Sequence, residues 1–108
     1  MNTFPCPYLG SEVELSDERE RHIRDHHPDL LPTYKDKIGT TLADPDQIRR
    51  SRRFGTARLF SKWYIDVVAG KHVVVVVVSE AQPRERNWIV TAYVTSKIPE
   101  GDSEWERN

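Results

Sequence analysis

The stretch ARLFSKWYIDVVAGKHVVVVVVSEAQPRERNWIVTAYVTS, residues 57–96, decides the fold because its hydrophobic period is two rather than 3.6. In Ala57 to Asp66 the set Ala57, Leu59, Trp63, Ile65 alternates with Arg58, Phe60, Lys62, Tyr64, which describes a two-faced strand. Val73 to Val78 is apolar at every position, as expected of a central strand covered on both sides. From Trp88 to Ser96 the alternation returns. It puts Trp88, Val90, Ala92 and Val94 on one face and Ile89, Thr91, Tyr93 and Thr95 on the other. Ala69-Gly70 and the polar run Gln82 to Asn87 supply the turns between them. A short strand over Gln47 to Ser51 completes four.

Upstream the period is helical. Ser16 followed by Asp17, Glu18 and Glu20 reads as an N-cap with acids in the first turn, and predicts a helix over Asp17 to His26. Pro28 turns the chain away. Leu31, Tyr34, Ile38 and Leu42 recur at helical spacing, so a second helix is expected from Pro32 to Leu42, closed by Asp44-Pro45-Asp46. Helix, helix, then a meander of strands predicts an α+β domain, with two N-terminal helices packed on one face of a four-stranded antiparallel sheet and the second face free. Residues 1–12 read as an arm, 13–98 as the domain, and 99–108 as a loose acidic tail.

A chain of 108 residues has room for one core, and its longest apolar run is far short of the ~20 residues a membrane helix needs. The N-terminus carries no basic segment leading into an apolar one, so a cytoplasmic protein without a membrane partner is expected. The single Cys6 has no partner for an internal disulfide. Net charge is −1, yet Gln47 to Ile65 holds six cations and no acid: Arg49, Arg50, Arg52, Arg53, Arg58 and Lys62. Such a cluster attracts phosphate, and Arg49, Arg50, Arg52 and Arg53 are the candidate RNA contacts.

If Ala57, Leu59, Trp63 and Ile65 face the helices, pleat geometry sends Arg58 and Lys62 to the free face. Thr91 and Tyr93 join them if Val90, Ala92 and Val94 also face the helices. Two cations, a phenol and threonine hydroxyls form a set suited to an anion. His22 and His26 share one face of the first helix and His27 ends it, offering imidazoles that exchange protons near neutral pH. His22 and His26 also have the H-x-x-x-H spacing of zinc helices, but Asp25 is shorter than the glutamate such motifs use and no third ligand follows, so no metal or other cofactor is expected.

The run Glu18 to Asp29, ERERHIRDHHPD, resembles the E-R-x-x-H-I-x-x-x-H-P-[ED] helix of the phage-associated branch of the barnase, EndoU, colicin and RelE-like nuclease superfamily. Thr41 to Ile48 and Ile89 to Tyr93 resemble that branch too, so the likeness extends over roughly Val13 to Ile98. It implies a metal-independent endoribonuclease of toxin or phage type, in which the RNA 2′-hydroxyl attacks the adjacent phosphorus and leaves a cyclic phosphate. Carried over, His22 or His27 would move the proton, Arg58 and Lys62 would balance the phosphorane charge, and Thr91 and Tyr93 would hold the phosphate or the 2′-hydroxyl. RNA and a protein antitoxin are then the expected partners. A non-catalytic RNA- or protein-binding domain of the same fold, or a homodimer joined over the Val73 to Val78 face, is the alternative.

Overall fold

Helix α1, Asp17–His26, begins where the sequence says it should: Ser16 Oγ accepts the Arg19 backbone N–H at 3.1 Å, in a computed structural model that describes residues 1–108. It ends at His27, whose N–H bonds the Ile23 carbonyl. Ile23 is its one buried side chain, so α1 meets the core along a narrow stripe. Helix α2 spans Lys35–Ala43, starting later than Pro32 because Leu30 and Leu31 are drawn into the core in turns before it.

The sheet departs from the expected four antiparallel strands. Seven strands form one mixed sheet: β1 (Asn2–Cys6), β2 (Ser11–Leu15), β3 (Gln47–Arg50), β4 (Ala57–Tyr64), β5 (Lys71–Glu80), β6 (Arg86–Thr95) and β7 (Asp102–Glu106), in the order β1-β2-β6-β5-β4-β3-β7. The central four strands are those expected, with the valine strand β5 in the middle. The correction lies at the ends. The arm is the β1–β2 hairpin, and the acidic tail supplies β7, antiparallel to β3. Pro5 is tolerated because β1 is an edge strand, where one N–H of every second residue has no ladder partner to lose. The mixed character comes from β2, which runs parallel to β6 with a single ladder pair, Glu14 with Trp88.

The faces of β4 are also reversed. Phe60 is fully buried and Tyr64 nearly so, while Trp63 is 44% and Ile65 76% exposed. The helix-facing rows are therefore Phe60–Val75–Ala92 and Arg58–Val77–Ile89 across β4, β5 and β6, with Lys62 paired to Val73 and Val94. Burying Phe60 contributes about 2–3 kcal/mol. Arg58 and Lys62 lie on this same side, at its rim. In β6 a bulge at Val90 shifts the register between Val76 and Val77, so one alternation cannot describe the strand. Ile89, Ala92 and Val94 turn to the core, whereas Trp88, Thr91, Tyr93 and Thr95 share the other face, uncovered by any helix, with Val76, Val78 and the fully buried Val74.

The two ends of the sheet curl toward each other over the core. Tyr8, in the β1–β2 turn, packs edge-on against Phe60 with ring centroids 6.2 Å apart, lies 6.4 Å from Trp105 of β7, and donates its hydroxyl to Glu104 at 2.6 Å. Phe4 of β1 lies where a side chain on Gly39 would be, 3.1 Å from its ideal Cβ position, so that glycine lets α2 approach the hairpin.

Candidate active site at the edge of strand β6

The expected phosphate pocket is not assembled. Arg58 and Lys62 project to the helix side, and Thr91 and Tyr93 to the opposite side. Both cations are neutralised: Arg58 Nε donates to Glu104 at 2.7 Å, and Lys62 Nζ lies 3.3 Å from Asp44 and 3.6 Å from Asp46. Their aliphatic stems run beside the core and their heads reach rim carboxylates, an arrangement that stabilises a fold rather than a ligand. The arginine cluster is likewise divided. Arg50 shares Glu104 at 2.8 Å, and Arg52 pairs with Asp102 at 3.1 Å. Arg53 is exposed in the β3–β4 connection. Arg49 alone of the strand cations both lies on the uncovered face and lacks a carboxylate, donating instead to Gln47 and to the Gly101 carbonyl.

A different set of groups does come together. Because β2 meets β6 at one residue pair, the β6 edge beyond Trp88 has no strand beside it, and α1 occupies that place. Arg19 reaches from the first turn of α1 to donate to the Val90 carbonyl at 3.3 Å, immediately before Thr91. One turn on, His22 and His26 stack with ring centroids 4.2 Å apart. At the end of the helix His27 lies 6.0 Å from the Tyr93 ring. Thr91 and Tyr93 turn away from the core here, on the C-terminal side of the bulge at Val90. Of the expected site residues, His27 lies beside Tyr93, His22 is earlier on the same helix, Thr91 follows the carbonyl that Arg19 binds, and Arg58 and Lys62 stand apart.

The electrostatics of the cluster favour a proton acceptor. Desolvation holds the His22 imidazolium below its ordinary range, and the positive charges of His26, Arg19 and His27 push in the same direction. His22 is therefore mostly neutral at pH 7. His26 Nδ1 lies 2.9 Å from the His22 carbonyl, which can only accept, so that nitrogen carries the proton and Nε2 is left free. Burial raises the Tyr93 phenol, keeping it an O–H donor. Along this edge a neutral imidazole can accept a proton, a guanidinium can balance a developing anion, and a phenol can donate a hydrogen bond.

Arg19 is the member that reading the sequence for strand cations overlooks, and His26 joins the cluster beside His22, whose helix face it was expected to share. Their signal was present in the i, i+3, i+7 spacing of Arg19, His22 and His26, which puts all three on one helix face. A second feature lies at the far end of the sheet, a cleft of about 510 Å³ lined by Arg50, Arg58, Ser79, Glu80, Glu85 and Asn87. Its floor is a hydrogen-bonded chain from Glu104 through Arg58 and Ser79 to Asn87. Two lining carboxylates offset its two guanidiniums, which Glu104 already pairs, so it is a poor anion site. No group of three His, Cys, Asp or Glu side chains is arranged to hold a metal ion, and no helix is long and apolar enough to cross a membrane.

Compared with known proteins, the chain matches no family model, no curated protein and no solved structure, so what the β6 edge does has to be argued from its own side chains.

Proposed function

We propose that the protein is a metal-independent endoribonuclease whose active site is the α1–β6 edge. The observation that carries this reading is the run of Arg19, His22 and His27 along α1, anchored to β6 by Arg19 at the Val90 carbonyl and by His27 6.0 Å from the Tyr93 ring. In the reaction, neutral His22 takes the proton of the ribose 2′-hydroxyl as its oxygen bonds to phosphorus. The bond from phosphorus to the 5′-oxygen then breaks, and a protonated His27 returns a proton to that oxygen. The product is a 2′,3′-cyclic phosphate and a free 5′-hydroxyl. Arg19 balances the added charge on the phosphorane, with the Tyr93 hydroxyl as a second donor. Pre-placed donors of this kind supply the larger share of catalysis, and proton transfer adds ~10²- to 10⁴-fold. RNA is the abundant phosphodiester of the cytoplasm, which is the setting this reading fits, and an antitoxin would act by masking the same edge.

Purified protein incubated with single-stranded RNA in EDTA tests it. Cyclic phosphate ends should accumulate, and His22→Gln should lower the rate by at least a hundredfold with the protein still folded. Intact RNA after incubation with folded wild-type protein would remove the catalytic reading and leave an RNA-binding domain, recognised by salt-dependent binding.

A further inference from the structure

The uncovered face carries three aromatic stations with the α1–β6 edge between them. Trp88 stands at one end, paired with Val78, and the Arg86 guanidinium lies 4.9 Å from its ring centroid. Tyr93 is in the middle, paired with Val74. Trp63 is at the other end, paired with His72 and in edge contact with that ring at 5.0 Å. Gly70, with φ +102°, makes room for the Trp63 indole, since a Cβ there would lie 2.8 Å from it. Trp63 is an indole held in place yet 44% exposed, more than burial alone would select.

Register fixes the spacing. Val78 and Val74 are four residues apart along β5, so Trp88 and Tyr93 are separated by about 13 Å along the strands. His72 is two residues beyond Val74, and β4 is two strands from β6, which puts Trp63 about 12 Å from Tyr93. Successive stacked nucleotides advance by about 3.4 Å, so neighbouring bases of a helix cannot occupy two stations. An extended strand with its bases splayed can. Arg49 lies on the same face with no carboxylate beside it, giving the track a cation for the backbone.

Building on the nuclease reading, we infer that the uncovered face is a binding track for an extended single strand of RNA, with bases stacked on Trp88 and Trp63 and the scissile phosphate held between them near Tyr93. Every base has a π-face, so the track recognises single-strandedness and length rather than sequence. Duplex RNA, whose bases are already stacked, is excluded.

The test uses full-length protein and a 2′-O-methyl RNA dodecamer, which cannot form the cyclic phosphate. Binding should quench tryptophan fluorescence. Trp63→Ala and Trp88→Ala should each weaken it by roughly tenfold, the scale of one stacked base, while Trp105→Ala on the other side of the sheet leaves it unchanged. A dinucleotide, too short to reach two stations, should bind the wild-type protein far more weakly than the dodecamer does. Cleavage of unmodified RNA by variants whose dodecamer affinity is unaltered would overturn the track and leave the nuclease standing. Stacking-dependent binding without any cleavage would uphold the track and overturn the nuclease. Duplex bound as tightly as single strand, or a dimer in sedimentation that Trp63→Ala dissolves and RNA does not, would overturn the track.

Discussion

Replacing Glu104 by alanine removes the group that holds the two ends of the curled sheet together. Its carboxylate accepts the Tyr8 hydroxyl at 2.6 Å from the β1–β2 turn, Arg58 Nε at 2.7 Å from β4, and Arg50 Nε at 2.8 Å from β3. Both Glu104 and Arg58 have side chains only 19% exposed, so truncation strands a guanidinium with little water to replace its partner. Breaking a fully buried pair costs about 3–5 kcal/mol, and partial exposure reduces this to about 2–3 kcal/mol. For 108 residues, an unfolding entropy of about 2.1 cal/mol/K per residue converts each kcal/mol into roughly 4 °C, so thermal melting should fall by about 10 °C. Circular dichroism melts of wild type, Glu104→Ala, Tyr8→Phe and the double variant would apportion the loss, with a coupling near 1 kcal/mol expected for the Tyr8 bond. A loss under about 4 °C would refute the reasoning and return Arg58 to the list of free cations.

Three further outcomes follow from the same geometry. Phe60→Ala should cost about 3–5 kcal/mol in urea unfolding and Trp63→Ala under about 1, the reverse of what the alternation of β4 suggests; equal losses would contradict the face assignment. Burial raises the Glu104 carboxyl, but hydrogen bonds from Tyr8, Arg58 and Arg50 outweigh it, and the net pKa lies below the ordinary carboxylate value. Its stabilisation is therefore complete above that ordinary value and lost as pH falls through the depressed one, so a pH series of melts should show acid sensitivity that Glu104→Gln reduces. His22 must be neutral to act, so cleavage should fall on the acid side with a midpoint below that of an ordinary histidine, and Arg19→Gln, which removes one of the charges depressing it, should move that midpoint upward.

The parts of the fold that were legible are those whose signal is local. Ser16 and the acids after it announce α1, and six valines in a row announce the central strand. What failed depends on contacts distant in sequence. Ala57, Leu59, Trp63 and Ile65 outnumber Phe60 and Tyr64 as apolar residues, yet Ile65 lies beyond the strand and the two aromatics fill the core more fully. Val90 gives no sign of a bulge, since no glycine or proline marks it. The extra residue exchanges the faces of Trp88 and Ile89, while Thr91 and Tyr93 lie on the uncovered face as expected and the reversed faces of β4 take Arg58 away from them. Asp102 to Glu106 reads as a solvated tail because the cations that Glu104 pairs with lie 46 and 54 residues earlier. In the candidate site the helix histidines and β6 hydroxyls were legible from spacing and resemblance. The cation beside them, Arg19, was overlooked because it sits in the first turn of α1 rather than on a strand.

The central claim is that RNA is met at the α1–β6 edge and the uncovered face, and backbone amide shifts in an NMR titration with the 2′-O-methyl dodecamer test it most directly. Arg19, His22, His27, Thr91, Tyr93, Trp63 and Trp88 should shift together, with Arg58 and Lys62 unmoved. Shifts centred on Arg58, Ser79 and Asn87, with the histidine helix silent, would contradict it.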